Sequence, residues 1–317
     1  MSAENGADVT RSSLALRDRV GSGGQGDVHA LADGSLLFKE YKDPSKVNGS
    51  ALADLVAFRQ GLGQSDRSQL DSLAAWPLCR VVEAGRTLGF LMRRAPSDMV
   101  WRTSAGSTKL LELQYLIRPP KVAWQEVSQP TPEQRKALAL ACVEAIDWFH
   151  SAGLVIGDIS QANVLWSLTP ETAVHFLDCD GFRRAGRTAV QAQAATPDWN
   201  DPLVPSIEAT VDTDAYKTAL VAARILAQDP YVTPGKELKL VAGCLNGRQD
   251  TAVRQLFSQA AGERGTRPRP SEWQTALSDR GIITLTAAAP RPRPVVDHTV
   301  LDGARDRSPI NLRAAGR

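Results

Sequence analysis

The stretch that most constrains this chain runs from Gly153 to Asp180 and reads GLVIGDISQANVLWSLTPETAVHFLDCD. It places Asp158 in a loop, Asn163 five positions later, and Asp178 after two short apolar segments that read as a hairpin. A loop followed by a hairpin and a second loop can bring three oxygen-bearing side chains to one magnesium–phosphate pair. In such a site Asp158 is left free to accept the proton of a hydroxyl group. The stretch therefore predicts chemistry on phosphate groups.

Size and composition limit the other classes of protein. The 317 residues, 43% of them apolar, suit one two-lobed unit or two modest domains. A net charge of +2 gives no indication of nucleic-acid binding. No apolar run is long enough to span a membrane and the N-terminus has no apolar signal core, so we expect a cytoplasmic protein without a membrane anchor. Four widely spaced cysteines favour reduced thiols over disulfides or a zinc site: Cys79, Cys142, Cys179 and Cys244.

A glycine-rich motif, GSGGQGDV at residues 21–28, directly follows a predicted strand at 14–20. Glycines without a Cβ atom let backbone N–H groups approach phosphates, although a glycine-rich hairpin turn without any ligand is at least as common. A dinucleotide-binding fold would need a helix after the glycines. Residues 27–31 read as a strand instead, which favours a strand–turn–strand loop over that fold.

A third strand is predicted at residues 35–41, with Lys39 at its inner end. A lone lysine in a strand is usually a solvated edge residue, and the alternative is a lysine that holds phosphates. Ser50 is predicted to cap the helix that follows, in which Asp54 is the acidic residue. The sequence has no glutamate between Glu40 and Glu83.

Further strands and helices are predicted along the rest of the chain. Two strands, at 78–84 and 87–93, flank a Gly-Arg turn, and residues 96–130 read as irregular. Thr131 caps a long helix with an apolar face, which leads to the stretch described first. The remaining predicted helices cover 211–226 and lie near 235–246, 250–260 and 270–279.

The order and spacing of these motifs resemble the protein kinase family over residues 14–280. The resemblance rests on the glycine motif, Lys39, Asp158, Asn163, Asp178 and Asp214. It implies an α+β, bilobal fold with a small antiparallel β N-lobe at 14–95 and a mainly helical C-lobe at 96–283. Residues 1–13 are expected to be a disordered leader, and residues 284–317 a disordered tail rich in proline and arginine.

The resemblance also implies a role for each site residue and names ATP and Mg²⁺ as cofactors. Asp158 takes the position of the base, Lys39 that of the lysine on the α- and β-phosphates, and Asp214 that of a structural acceptor for backbone N–H groups. His150 is expected to support the loop rather than carry a proton. Asn163 and Asp178 take the metal positions, and the nucleotide is assigned to Gly21, Gly23, Gly26, Val28, Met92 and Ala95. For Met92 and Ala95, the adenine-side hinge, a buried strand end is an equally good interpretation.

Several residues depart from the family pattern. Gly157 stands where the family has an arginine that binds a phosphate on the activation segment. Ser160 stands where Ser/Thr kinases have a lysine. Asp180 replaces the flexible glycine of the magnesium triplet. The helix-borne glutamate that pairs with the lysine is missing, so Asp54 substitutes, Glu83 substitutes, or the ion pair is absent.

The activation segment is assigned to residues 181–200, with Thr188 and Thr196 as its threonines. Leu203 stands where the family has a glutamate that pairs with a late arginine, which resembles Arg267 or Arg269. Glu208 is close enough in sequence to replace that glutamate.

The expected activity is that of an ATP- and Mg-dependent protein Ser/Thr kinase that autophosphorylates and acts on protein hydroxyls. A pseudokinase acting as a nucleotide-binding scaffold is the alternative, and a small-molecule phosphotransferase is a third option. The IGD and DCD motifs resemble a bacterial subgroup of kinases that accompany a PP2C-type phosphatase and a von Willebrand A-type protein. Thr299 within TVLD fits a site for a phosphothreonine-reading FHA domain.

Overall fold

The computed structural model describes residues 3–32, 34–193, 196–204 and 209–279. The predicted tail at 284–317, with Thr299, and Glu208 lie outside the described residues. The fold is α+β, and its largest sheet has the strand order β1-β5-β6-β4-β3-β2. These six strands are β1 (Val9–Thr10), β2 (Leu16–Ser22), β3 (Gly26–Leu31), β4 (Leu36–Tyr41), β5 (Cys79–Glu83) and β6 (Arg86–Arg93).

The sheet is mixed rather than wholly antiparallel, because β1 runs parallel to β5 while the other neighbouring strands are antiparallel. The strands predicted from residue 14 to residue 93 are confirmed to within two residues at their ends. The β5–β6 turn has Ala84 at φ 47° and Gly85 at φ 76°, which is the backbone of a tight two-residue hairpin.

Residues 3–13, for which the sequence predicts a disordered leader, make side-chain contacts with the rest of the described chain. Glu4 accepts hydrogen bonds from Arg59 at 2.7 Å and from Arg93 at 2.8 Å. Asp8 forms a two-pronged ion pair with Arg80, at 2.6 and 2.9 Å. The polar composition of these residues suggests disorder. Their carboxylates nevertheless form ion pairs with arginines elsewhere in the chain, and β1 pairs with β5 at the edge of the largest sheet.

Helices and short hairpins make up the rest of the described chain. Within the first part, helices α1 (Gly49–Gly61) and α2 (Gln64–Leu73) lie between β4 and β5. After β6 the chain forms β7 (Val100–Arg102), β8 (Thr108–Leu110), α3 (Gln114–Ile117), α4 (Pro132–Ser151), β9 (Leu154–Val155), β10 (Val164–Ser167), β11 (Ala173–Phe176), β12 (Arg183–Arg184), α5 (Val211–Ala227), α6 (Gly247–Gln259) and α7 (Pro270–Leu277).

Some predicted boundaries in this part need correction. Asn48, not Ser50, caps α1, since its side chain accepts from the backbone N–H of Ala51 at 3.1 Å. The irregular region at 96–130 contains the β7–β8 hairpin and α3. The helix predicted near 235–246 does not form, because Gly235 and Gly243 both have φ 82°, a backbone that interrupts a helix.

The core of the helical part is organised around α4 and α5. Both helices begin with a capping box, in which Thr131 pairs with Gln134 and Thr210 with Thr213. Residues 213–226 of α5 are buried throughout. Among the described residues, no helix combines the length and apolar character that crossing a bilayer requires.

Gly89 on β6 pairs with Glu40 on β4. A Cβ atom on Gly89 would overlap the carbonyl oxygen of Lys39 and lie 2.7 Å from Phe38 Cε2. We expect Gly89→Ala to lower the free energy of unfolding by about 1–3 kcal/mol, the usual cost of overpacking. Urea unfolding measures this, with Gly61→Ala as the control, since no atom lies within 4 Å of a Cβ at Gly61. An unchanged midpoint for Gly89→Ala would contradict the close approach.

Candidate active site

A cleft of about 410 Å³ lies beneath the β2–β3 hairpin. Its wall includes parts of four segments: this hairpin, β4, the loop after β9 and the loop after β11. Seven of the predicted site residues line it: Gly23, Gly26, Val28, Lys39, Asp158, Asn163 and Asp178. These seven are separated by up to 155 residues in sequence, so folding alone brings them together.

Three predicted nucleotide-binding residues, all in the described part of the chain, are not among those lining the cleft. Gly21 is paired with Val28 in the β2–β3 register. Met92 is 8% exposed and pairs with Leu37 inside the sheet. Ala95 follows the end of β6. Met92 therefore fits the simpler interpretation of a buried strand end.

Asp214 holds the loop that carries Asp158. Its carboxylate is fully buried and accepts from the backbone N–H groups of Ile156 at 2.7 Å and Gly157 at 2.9 Å. His150 Nε2 lies 3.2 Å from the same carboxylate. The predicted structural role of Asp214 is confirmed, and His150 supports the loop from α4.

Lys217 is a second support that the sequence-based predictions missed. This buried lysine on α5 donates to the carbonyl oxygen of Gly157 at 2.7 Å. Burial lowers the pKa of Lys217, while nearby carboxylates, Asp158 first among them, oppose that shift. A lysine three positions after Asp214 in an apolar helix lies on the same helix face, and that spacing was an available signal.

The Asp158 carboxylate has a hydrogen bond on each oxygen. Asn163 Nδ2 donates to Oδ2 at 2.8 Å, and it also lies 3.1 Å from the backbone oxygen of Asp158. The hydroxyl of Thr196 donates to Oδ1 at 2.9 Å. These bonds fix the carboxylate in one orientation and show that a hydroxyl group fits against it.

Asp178 projects into the cleft from a strained backbone. It adopts φ 52° and ψ 43°, a left-handed conformation that costs a non-glycine residue about 1 kcal/mol or more. Its side chain is 56% exposed, and Lys39 Nζ lies 3.4 Å from one oxygen. The backbone N–H of Leu177 donates to the Asn163 carbonyl at 2.8 Å, so the two loops are fastened together.

The donor set of Asn163 and Asp178 fits Mg²⁺. One carboxylate and one amide oxygen suit an ion that prefers oxygen ligands and completes its shell with phosphate and water. Within the described ranges, no group of three or more His, Cys, Asp or Glu side chains forms a metal cage. A site of this kind would hold the ion firmly only together with a bound phosphate.

Lys39 pairs with a residue that the sequence-based alternatives did not include. Its Nζ lies 2.6 Å from Asp180 Oδ1. Asp54 on α1 is exposed, and Glu83 binds the backbone N–H of Ser12 at 3.0 Å. Burial disfavours the charged ammonium, but Asp180 and Asp178 outweigh it and raise the pKa of Lys39.

Gly157 permits a close approach of other residues to the loop that carries Asp158. It has φ 80°, and a Cβ atom there would lie 2.7 Å from Gln193 Oε1 and 3.0 Å from Ala209 Cβ. Arg183 donates to the same Gln193 oxygen at 3.1 Å. Where the family has an arginine for a phosphate, this chain packs a glutamine side chain against a glycine.

Buried arginines hold the residues after Thr196. Arg224 lies 4.5 Å above the ring of the buried Trp199 and donates to the Asp198 carbonyl at 2.6 Å. Arg267 pairs with Asp201, at 2.8 Å from Nη2, and with Asp212. Arg267 therefore forms its ion pair with Asp201, two residues before Leu203. The sequence suggests Glu208 as the partner instead.

Thr188 is one of the two threonines in the segment at residues 181–200. Its hydroxyl is exposed and accepts from Asn48 Nδ2 at 3.0 Å, next to the backbone bond from Asn48 N to Val190 O at 2.7 Å. Because unmodified groups already hold the segment, we expect Thr188→Ala to match the wild-type protein in any phosphate-transfer activity. A rate assay after phosphatase treatment measures this. An inactive variant that stays folded would show that Thr188 modification is required.

Glu112 is a further cleft residue that the sequence did not indicate. It lies between β8 and α3 and lines the cleft, while the side chain of Gln114 donates to its carboxylate. Burial raises the pKa of Glu112. Its backbone oxygen accepts from the indole of Trp166 at 3.1 Å, which ties it to β10. Only the fold brings this part of the 96–130 region to the cleft.

None of the protein-family models compared with the chain matches it, and no curated protein matches it either.

Proposed function

We propose that this protein is an ATP- and Mg-dependent protein Ser/Thr kinase with a bilobal, kinase-like arrangement of its sheet and helices. The observation that carries the proposal is the meeting of Lys39, Asp158, Asn163 and Asp178 in one cleft under the glycine-rich hairpin. These side chains supply a cation for phosphate, a base for a hydroxyl group and two ligands for a metal ion.

The hairpin supports the proposal at the phosphate end of the cleft. Gly23, Gly24 and Gly26 line the cleft, and a Cβ atom on Gly26 would lie 2.7 Å from the Glu40 carbonyl oxygen. Glycine at this position therefore keeps β3 close to β4, directly beside Lys39. Backbone N–H groups and one ammonium group are suitable donors for the charged oxygens of a triphosphate.

The proposed reaction needs little covalent chemistry from the protein. The acceptor hydroxyl oxygen bonds to the γ-phosphorus, the bond from that phosphorus to the ADP oxygen breaks, and the hydroxyl proton passes to Asp158. Mg²⁺, when bound, neutralises charge on the phosphates. Thr196 Oγ1 donates a hydrogen bond to the Asp158 carboxylate at 2.9 Å, as an acceptor hydroxyl would, and this contact supports Asp158 as the proposed base.

A nucleotide-binding scaffold without phosphate transfer is the second candidate. The observations that favour it are Gly157, Ser160 and the lack of an ion pair between Lys39 and helix α1. Ser160 is buried and its side chain is neutral, so it supplies no cation where Ser/Thr kinases have a lysine. In either form, the IGD and DCD resemblance makes a PP2C-type phosphatase and a von Willebrand A-type protein the proposed partners. An FHA-domain reader of Thr299 is proposed with them.

Two measurements on one preparation separate these candidates. Calorimetry with ATP, with and without Mg²⁺, should show tighter binding with the ion, and Asp178→Asn should remove most of that gain. Phosphate transfer to the protein itself or to a mixed protein acceptor should appear on serine or threonine. Binding without transfer would favour the scaffold. An absence of ATP binding by the folded protein would overturn both candidates.

A further inference from the structure

We infer that Asp180 is the positioning residue for Lys39, in place of a carboxylate carried by helix α1. The inference rests on the proposed function, since it names the group that aims the lysine at the phosphates. It also assigns a purpose to the aspartate that departs from the family pattern in the DCD triplet.

The geometry around Lys39 leaves Asp180 as its main partner. Both side chains are nearly inaccessible, at 5% and 3% exposure, and Nζ lies 2.6 Å from Asp180 Oδ1. The second contact, to Asp178 at 3.4 Å, is longer, and that carboxylate is 56% exposed. A buried ammonium group without a close counter-charge would be strongly unfavourable, and Asp180 supplies the nearest carboxylate oxygen to Lys39 Nζ.

Asp180 is fixed by the residues on either side of it. Cys179 is fully buried and its thiol lies 3.4 Å from the Phe176 carbonyl oxygen. Phe182 packs its ring 5.0 Å from that of Phe149 and 5.4 Å from that of Trp76. The short turn between them is closed by the bond from Gly181 N to Asp178 O at 2.9 Å. These contacts restrain the backbone that carries Asp180.

Helix α1 is consequently not a partner of the lysine. Its acidic residue, Asp54, is exposed and lines a separate cavity together with Arg184 and Arg187. In this arrangement the carboxylate partner of Lys39 lies on the same loop as the proposed metal ligand Asp178. A movement of α1 would then leave the Lys39–Asp180 pair intact.

Asp180→Asn tests the inference, because it keeps the size of the side chain and removes its charge. We expect kcat to fall about 10²-fold, as for a catalytic group displaced by about 1 Å, with a smaller change in KM for ATP. Asp54→Asn should match the wild-type protein. Asp180→Glu, which keeps the charge, should lose less than Asp180→Asn and serves if the asparagine variant does not fold.

Chemical labelling of the Lys39 amine is a second measurement, and it does not require phosphate transfer. An acyl phosphate of ATP is attacked by a nearby lysine amine, which forms an amide and releases ATP. We expect this probe to label Lys39 equally in the wild-type protein and in Asp54→Asn, and we expect the labelling to change by about tenfold in Asp180→Asn, where the amine is no longer held in the same place. Mass spectrometry identifies the labelled residue.

The outcomes keep the two proposals apart. Equal labelling and equal kcat in the wild-type protein and folded Asp180→Asn would overturn the role of Asp180, as would an equal loss in Asp54→Asn. Wild-type protein that is labelled at Lys39 but transfers no phosphate would overturn the kinase proposal, while the labelling comparison still decides the role of Asp180. Folded wild-type protein without labelling would overturn both.

Discussion

Asp158→Ala is expected to reduce phosphate transfer by a factor of about 10²–10⁴, the range that a positioned general base supplies. The ATP affinity should stay unchanged, because Asp158 bonds to Asn163 and Thr196 rather than to Lys39. Single-turnover transfer at saturating ATP measures the rate, and calorimetry measures the affinity. The two together separate loss of the base from loss of the binding site.

Glu171→Ala is the matched control for this prediction. Glu171 is an exposed carboxylate on the turn between β10 and β11, and we expect its removal to leave the transfer rate unchanged. A folded Asp158→Ala protein with the wild-type rate would refute the assignment of the base. An equal loss in the control would indicate a general effect of negative charge near this hairpin.

Arg267→Met is expected to lower the free energy of unfolding by about 3–5 kcal/mol, the cost of leaving a buried charge without its partner. Asp201 is 6% exposed and accepts a hydrogen bond from Arg267 Nη2 at 2.8 Å. Asp212 accepts a second one from Arg267 Nη1 at 3.1 Å. The guanidinium also lies 5.2 Å from the ring centre of Tyr216. Methionine fills a similar volume but supplies no charge, so the Asp201 carboxylate would remain buried and uncompensated.

Urea unfolding followed by tryptophan fluorescence measures the effect, with Arg269→Met as the control. Arg269 is exposed, and its backbone N–H, which the substitution leaves in place, donates a hydrogen bond to the Glu272 carboxylate. The control should unfold at the wild-type urea concentration. Equal midpoints for the two variants would show that the Arg267–Asp201 pair contributes little to stability.

Local patterns in the sequence predicted much of the fold. The strands from residue 14 to residue 93 and the capped helix after Thr131 follow from alternation, turn residues and cap residues within short windows. The spacing of Asp158, Asn163 and Asp178 also predicted their meeting, because a loop and an adjacent hairpin place them near one another. Asp214 was identified as the support of that loop, and its hydrogen bonds confirm this.

Contacts between distant residues could not be predicted in the same way. Asp180 reaches Lys39 across 141 positions, and its burial depends on the packing of Cys179 and Phe182 on either side. Glu4 folds back onto Arg59 although the first residues are polar in composition. In both cases the partner is chosen by the tertiary structure, and no pattern within a short window of sequence indicates it.

The central claim, γ-phosphoryl transfer to a protein hydroxyl, is tested most directly with two preparations of ATP labelled at either the γ- or the α-phosphate. Each is incubated with the purified protein and Mg²⁺, alongside Asp178→Ala. We predict that γ-label appears on serine or threonine, that α-label does not, and that the variant carries neither. Incorporation of α-label would contradict the account, because it would show nucleotidyl transfer. An unlabelled, folded wild-type protein that binds ATP would favour the scaffold instead.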